Sequence, residues 1–477
     1  MLTPYSAPKG VKLNKTFTVE ARTPTGLWKT LDVHDVRVDY HTLKNPSHAS
    51  FVNFDFRGEV ELRVTYNSGT IKKAQIRPKS YGITCKPNGK VAVFKLTKPR
   101  NISFEVNGDR LRNLHIFANP IEKERASGPS KNTIYFPPGL HKLGTDPAIK
   151  SSGKVNGYHK AEVHVSSGQT VYIDGGAVVQ ASIIVTKGAK NVKICGRGIL
   201  DLSPWNTKSG RTDKGRGVQV NGVKVPFASH VEIEGIVIKQ ATAYSISLGA
   251  SRHVKIGGVK AIGGHMWGDG IDMMASSDIT ISGAFVRTSD DCIAIYGSRW
   301  GYRGDSRNVL IQDSVFWADK AHAMFMAISG DYQGDGDMIE NITFRNIDVL
   351  ESDGQGSKFQ GAMEISCGDK NIVKNVLYED IRVEHIYKTA TLICIGFRVW
   401  RDGELGKSIE NVTFRNIVYD GPCGSVIQGH SPHRRVKVVR FENVKIRGKT
   451  VRKPADGKIA IGPHVTGVVF RDQPEKR

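Results

Sequence analysis

The sequence predicts an all-β chain, a parallel β-helix preceded by a β-sandwich. Three observations predict it. The first 120 residues carry short runs that alternate apolar and polar side chains. After residue 133 a weak motif recurs along the chain. The recurring runs have strand texture, with no helical period of 3.6.

The N-terminal runs are TFTVEA, LDVHDVRVDY, FVNFDF, EVELRVTY, KVAVFKL, ISFEV and LHIFA. Turn residues separate them, Asn88-Gly89 among them. Period-2 runs with short turns predict an antiparallel sandwich over residues 1–120. The polar segment 121–132, flanked and broken by Pro120 and Pro129, reads as a linker.

The motif appears as NVKICGRGIL at Asn191, HVEIEGIVIK at His230, HVKIGGVKAI at His253, DITISGAFVR at Asp278 and NVLIQDSVFW at Asn308. It continues as NITFRNIDVL at Asn341, NVLYEDIRVE at Asn375 and NVTFRNIVYD at Asn411, with a degenerate copy at Val438. From His230 the spacings are 23, 25, 30, 33, 34, 36 and 27 residues. Such self-similarity signals a solenoid. A leucine frame is missing, and four strands per unit do not fit. Stacked coils of two or three short strands do, over residues 133–447, with 448–477 as a C-terminal cap or tail. A second strand series lies between the repeats: SISLG (245–249), GIDMM (270–274), CIAIY (292–296), AMFMAI (323–328), AMEISC (362–367) and ICIGF (393–397). These should stack into one sheet.

Composition narrows the function classes. At 39% hydrophobic and 24% charged residues, the chain can bury a core and is not mainly disordered. No run of 18 apolar residues is present, so no membrane span is expected. A net charge of +22 favours an anionic partner. Nucleic acid fits that charge alone, since no recognition motif accompanies it, and none is expected as a partner. The six cysteines form no C-x-x-C pair, and buried free thiols are expected. No metal site and no cofactor are expected. The N-terminus lacks a signal peptide's apolar core. A removed leader, and hence a secreted or periplasmic protein, is the expectation, with a cytoplasmic protein as the alternative, and the protein is expected to be a monomer.

The strongest chemical signal is a set of acids one coil apart. HMWGDGID holds Asp269 and Asp272, and TSDDCIAIY holds Asp290 and Asp291. Crowded acids repel, so at least one should keep its proton near neutral pH. Glycoside hydrolysis needs one protonated acid for the leaving oxygen and one ionised base for water. Asp290 is the expected general acid, with Asp269 and Asp291 positioning or deprotonating the water. Consecutive aspartates on a regular strand face opposite sides, so the chain has to bend where the strand begins.

The string DGIDMMASSDITISGAFVRTSDDCIAIYG resembles the active-site region of glycoside hydrolase family 28, the polygalacturonases. It also resembles family 49, the dextranases and isopullulanases, in joining a sandwich to a right-handed, pectin-lyase-like β-helix. The resemblance implies an inverting hydrolase of a polysaccharide, with catalytic Asp269, Asp290 and Asp291. The departures concern substrate. Trp267-Gly268-Asp269 stands where family 28 has N-T-D. His322 in KAHAMFMAIS matches its G-H-G histidine without the glycines. Glu364 in GAMEISC stands where a cation grips a uronic carboxylate, and Arg398 one coil further could serve a different anionic group.

Further groove-side candidates are Trp267, Trp300, Tyr302 and Trp400, whose rings can stack on sugar C–H faces, and the loop Gly297 to Arg307 as a substrate wall. Trp317 reads as core. His322, Glu364 and Arg398 are the polar candidates for substrate contact. An anionic or sulfated glycan is the favoured substrate. The competing readings are a polysaccharide lyase on the same architecture and a non-catalytic glycan-binding solenoid.

Overall fold

The computed structural model describes residues 1–38, 47–155, 157–205, 218–353, 361–387 and 390–473. Asp39 and Tyr40 of the second predicted run, and 474–477 of the predicted tail, lie outside the described residues.

The N-terminal runs form two sheets. Phe17–Arg22 and Val60–Tyr66 belong to a five-stranded sheet, and Ser47–Phe56, Arg100–Val106 and Asp109–Pro120 to a six-stranded one. Alternation sets the facing. Phe17, Val19 and Ala21 meet Val52, Phe54 and Phe56 in the sandwich core. The prediction of a purely antiparallel sandwich fails at one place. Ser47–Phe56 and Asp109–Pro120 run parallel, in register from Leu114↔Ser50 to Pro120↔Phe56. Both faces of this pair are covered. Ala49, Phe51 and Phe117 point away from the sandwich core and pack on Val237, Ile262, Phe285 and Trp317 of the second domain. Strands buried on both faces are the ones that tolerate parallel pairing.

The second domain is a right-handed parallel β-helix, the sense taken by about 98% of parallel crossovers. The recurring motif has a physical cause. Its first residue occupies the left-handed region in every copy: Asn191, His230, His253, Asp278, Asn308, Asn341, Asn375 and Asn411 all have φ between 54° and 57°. Asn and Asp tolerate that conformation better than other side chains. Stacked coils then place these side chains in a ladder. Each Asn Nδ2 donates to the residue one coil back: Asn308 to Asp278 at 3.0 Å, Asn341 to Asn308 at 3.0 Å, Asn375 to Asn341 at 3.1 Å and Asn411 to Asn375 at 2.7 Å. The coils do not stop at residue 447. Ile459–Ile461 and Val465–Arg471 each pair in parallel with the preceding coil, so the predicted tail adds one more rung.

The second strand series stacks as predicted. Ile246–Gly249, Ile271–Met274, Ile293–Tyr296, Met324–Met326, Gly361–Cys367 and Thr391–Phe397 are consecutive neighbours in one parallel sheet. Period 2 divides each strand. Ile271, Met273, Ile293, Ile295, Met324, Met326, Met363 and Ile365 enter the helix core. Each such side chain contributes about 1.5–3 kcal/mol by leaving water. The alternate row, Asp272↔Ala294↔Phe325↔Glu364↔Cys394, faces outward. That outer face carries the site. All six cysteines are free thiols, four of them buried.

Candidate active site

Three residues before each outward row lies a column at the strand starts. Asp269, Asp291 and His322 occupy it on successive rungs. The backbone fixes this alignment: the Asp269 carbonyl accepts from Ser245 N–H at 2.9 Å, that of Asp291 from Gly270 at 2.7 Å, and that of His322 from Cys292 at 2.9 Å. Gly270 is required between Asp269 and Ile271. A side chain there would come within 2.2 Å of the Cys292 carbonyl oxygen on the next rung.

The predicted bend is present at Ser289–Asp290, ahead of Ile293–Tyr296. Three contacts hold it. Ser289 Oγ donates to the His265 carbonyl and accepts from the His265 N–H, both at 2.7 Å, and Thr288 Oγ1 donates to the Asp290 carbonyl at 3.1 Å. Asp290 Oδ1 accepts from the Asp291 N–H at 3.1 Å. Both aspartates thereby reach one neighbourhood. Asp291 is buried, while Asp290 keeps partial exposure.

Asp272 joins this cluster from the outward row. It is fully buried, and no hydrogen bond of good geometry reaches its carboxyl oxygens from the described residues. Burial and like charge act together here. Burial, then Asp272, Asp290 and Asp291, push the Asp269 carboxyl well above its ordinary range. Burial, opposed by Arg299, and the charge of Asp291 do the same to Asp272. Asp290 is pushed up to about 8, by burial first and Asp291 second, with His322 and Arg299 pulling the other way. Two neighbouring carboxyls cannot both ionise cheaply in such a place.

His322 lies beside the acids. Its Nδ1 is 2.5 Å from Asp291 Oδ1, and its backbone N–H donates to the same oxygen at 3.2 Å. Its Nε2 is 3.2 Å from Glu364 Oε2. The ring stacks on Phe325 at 4.5 Å. Burial works against its charge, but Asp291 and Glu364 outweigh that and raise it to about 10. His322 and Glu364 were expected to touch substrate. The structure puts both below the groove surface, with Glu364 wholly buried.

Of the three arginines in the wall loop, two are engaged elsewhere: Arg303 with Asp331 at 3.3 Å, and Arg307 with Asp305 at 2.6 Å. Arg299 turns inward. Its guanidinium lies 4.0 Å over the Tyr296 ring and 5.3 Å from that of Trp300. Trp300 is 58% exposed and its Nε1 donates to Tyr244 Oη at 3.0 Å. Tyr302 packs on Phe227 at 5.1 Å. Trp267 is half-buried two residues before Asp269, its backbone N–H directed to His265 Nδ1 at 3.4 Å. Arg398 follows Thr391–Phe397, three rungs beyond Asp291, and lies over Trp400 at 5.6 Å. Trp317 is core, as predicted.

The structure therefore unites Asp269, Asp290, Asp291, His322 and Glu364, while Trp300 and Tyr302 lie in the wall loop and Arg398 follows a strand three rungs beyond Asp291. The sequence reading did not single out Arg299, Tyr244 or Tyr296, and it named Asp272 without a role. Period 2 on GIDMM places Asp272 outward, a usable signal. Nothing in the loop's sequence separates Arg299 from its two neighbours.

The sequence profile described as "Glycosyl hydrolases family 28" matches residues 139–453. An exopolygalacturonase of Cochliobolus carbonum is 30% identical over 197 residues, 38% of this chain and 42% of the relative. A polygalacturonase of Juniperus ashei is 25% identical over 244 residues, 47% of this chain and 44% of that one. The chain thus matches less than half the length of each. Among solved structures, Dex49A from Penicillium minioluteum shares the fold, with a TM-score of 0.62 at 14% identity over 98% of this chain and 96% of its own. The profile covers most of the chain, including every acid of the cluster, and the chain belongs to glycosyl hydrolases family 28.

Proposed function

We propose that the protein is an inverting glycoside hydrolase of an acidic, galacturonate-type polysaccharide. The observation that carries this reading is the buried cluster of Asp269, Asp272, Asp290 and Asp291, in which the most accessible member, Asp290, holds a proton to about 8. Asp290 donates that proton to the leaving glycosidic oxygen. Asp291 takes the proton of a water as it attacks the anomeric carbon, and Asp269, on the adjacent rung, holds that water in place. Asp290 stands one residue off their column. Such an offset favours the wider separation, about 6.5–9.5 Å, that leaves room for water in inverting enzymes.

The acidic substrate is supported by the net charge of +22 and by the arginine-aromatic rim of Trp300, Arg398, Trp400 and Arg401. The names of the curated relatives point the same way. A polymeric substrate of this kind implies work outside the cytoplasm, and the protein would act there as a monomer.

The test is a reducing-sugar assay over polygalacturonate, sulfated glycans and dextran, with NMR of the first anomer released. Polygalacturonate should be cleaved fastest, with inversion. Asp290→Asn should lower kcat at least 100-fold, the lower end of the roughly 10²–10⁴ ascribed to general acid catalysis, with the fold kept. Near-normal turnover by that variant would overturn the acid assignment. An unsaturated product would point to a lyase instead.

A further inference from the structure

Asp290 and Asp291 are consecutive, buried in one neighbourhood, and chemically identical. Something has to decide which keeps the proton. Asp291 receives both contacts from His322, at the backbone N–H and at Nδ1, whereas no contact joins His322 to Asp290 at hydrogen-bond distance. A neutral imidazole has one N–H and could serve Asp291 with it. The other ring nitrogen then decides the charge.

That nitrogen, Nε2, faces Glu364 Oε2 at 3.2 Å, somewhat off the line of an ideal hydrogen bond. Glu364 is itself locked. Its Oε2 accepts from Gly361 N–H at 2.6 Å and its Oε1 from Ser366 Oγ at 2.6 Å. These two donors fix the orientation of the carboxyl group. It sits with no exposure, on the rung after His322, directly beside Phe325, on which the imidazole stacks. The ring is thus clamped between two carboxylates, one at each nitrogen, which demands an N–H at both. The remaining ionisable groups facing this assembly are Asp269, Asp272, Asp290 and Arg299 on the Asp291 side and, near Glu364, Tyr378 and Cys394, both held neutral by burial first and the Glu364 charge second.

We propose that Glu364 is a positioning residue that fixes His322 as an imidazolium and thereby assigns the negative charge to Asp291 and the proton to Asp290. Glu364 touches no substrate. It acts through His322 and sets the division of labour between two adjacent acids. This inference rests on the reading of Asp290 as acid and Asp291 as base.

The experiment compares wild type, Glu364→Gln and Ser366→Ala, the last a milder change should the first not fold. Two quantities are read: the NMR titration of His322 and the pH profile of kcat/KM. In the wild type His322 loses its proton near 10, after Asp290 has lost its own near 8. Removing one opposite charge at this range should lower the His322 titration by about 1–3 units. A shift of about 2 units or more brings it to or below the Asp290 step and moves the alkaline limb of the profile to lower pH. Ser366→Ala should shift both in the same direction by less. A purely structural role would lower kcat/KM equally at every pH with the His322 titration in place, and that result overturns the proposal. Asp290→Asn separates the two readings. If it is inactive while His322 titrates unchanged in Glu364→Gln, only the positioning role fails. If it stays active, the acid assignment fails with it.

Discussion

Two regions of this molecule bury charge, and they do it in opposite ways. Between sandwich and β-helix, Arg77 is nearly inaccessible, with its guanidinium 3.1 Å from Glu105, 2.6 Å from Glu351 and 2.7 Å from Glu384. Arg287 meets Asp319 at 3.1 Å, and Arg197 meets Asp55 at 2.9 Å. Burial works against ionising Glu351, but His385, Arg77 and Arg110 together hold its carboxyl below the usual range. In the groove, four aspartates share one neighbourhood with His322 and Arg299 as the cations that act on them. Burial of charge is therefore common to a structural joint and to a reactive site. Uncompensated like charge is what distinguishes the second.

The widest contrast is reached by removing the joint's cation. Arg77→Met leaves Glu105 and Glu384 buried without their partner and should cost about 3–5 kcal/mol of stability, the usual penalty for breaking a buried pair. Chemical denaturation measures it. A loss below about 1 kcal/mol would mean that the joint is not held by these ions.

The groove should respond with the opposite sign. Asp272 keeps its proton when folded but ionises when unfolded, so stability falls as pH rises above its ordinary value. Asp272→Asn removes that penalty. A gain of about 0.5–2 kcal/mol, the range of common stabilising substitutions, is expected at pH 7. It should vanish near pH 3, where the aspartate is protonated in both states. A loss at pH 7 would show that the Asp272 carboxyl is compensated after all.

The same electrostatics sets the activity profile. kcat/KM should fall about tenfold per pH unit above roughly 8, as Asp290 gives up its proton. A limb near the ordinary carboxylate value would remove Asp290 from the acid role. The smallest effect concerns the rim, where no buried charge is at stake. Trp300→Ala should raise KM roughly 2–10-fold with kcat retained, since an aromatic contact contributes about 0.5–1.5 kcal/mol. Steady-state kinetics on the cleaved polymer decides it.

Much of the fold was legible because its causes are local. A left-handed corner needs Asn, Asp or a similar residue, and the leading residues from Asn191 to Asn411 record that need once per coil. The outward row of the groove sheet was legible from period 2 alone. The parallel pairing of Ser47–Phe56 with Asp109–Pro120 was not, because it depends on a second domain covering their outer face. Nor was the last rung after residue 447, where Gly467 stands at the corner that Asn, Asp or His occupies in the coils from Asn191 to Asn411.

The site divides similarly. The chain itself determined that acids stand one coil apart at Asp269, Asp290 and Asp291, since spacing and stacking suffice to align them. It determined that Glu364 breaks an apolar strand. Only the tertiary structure decided what these residues do to one another. It turned Glu364 toward His322 instead of the groove, singled out Arg299 among three arginines, and drew Asp272 into the cluster. Those outcomes depend on which side chains are deprived of water together, and desolvation and charge coupling are properties of the packed coils rather than of any one of them.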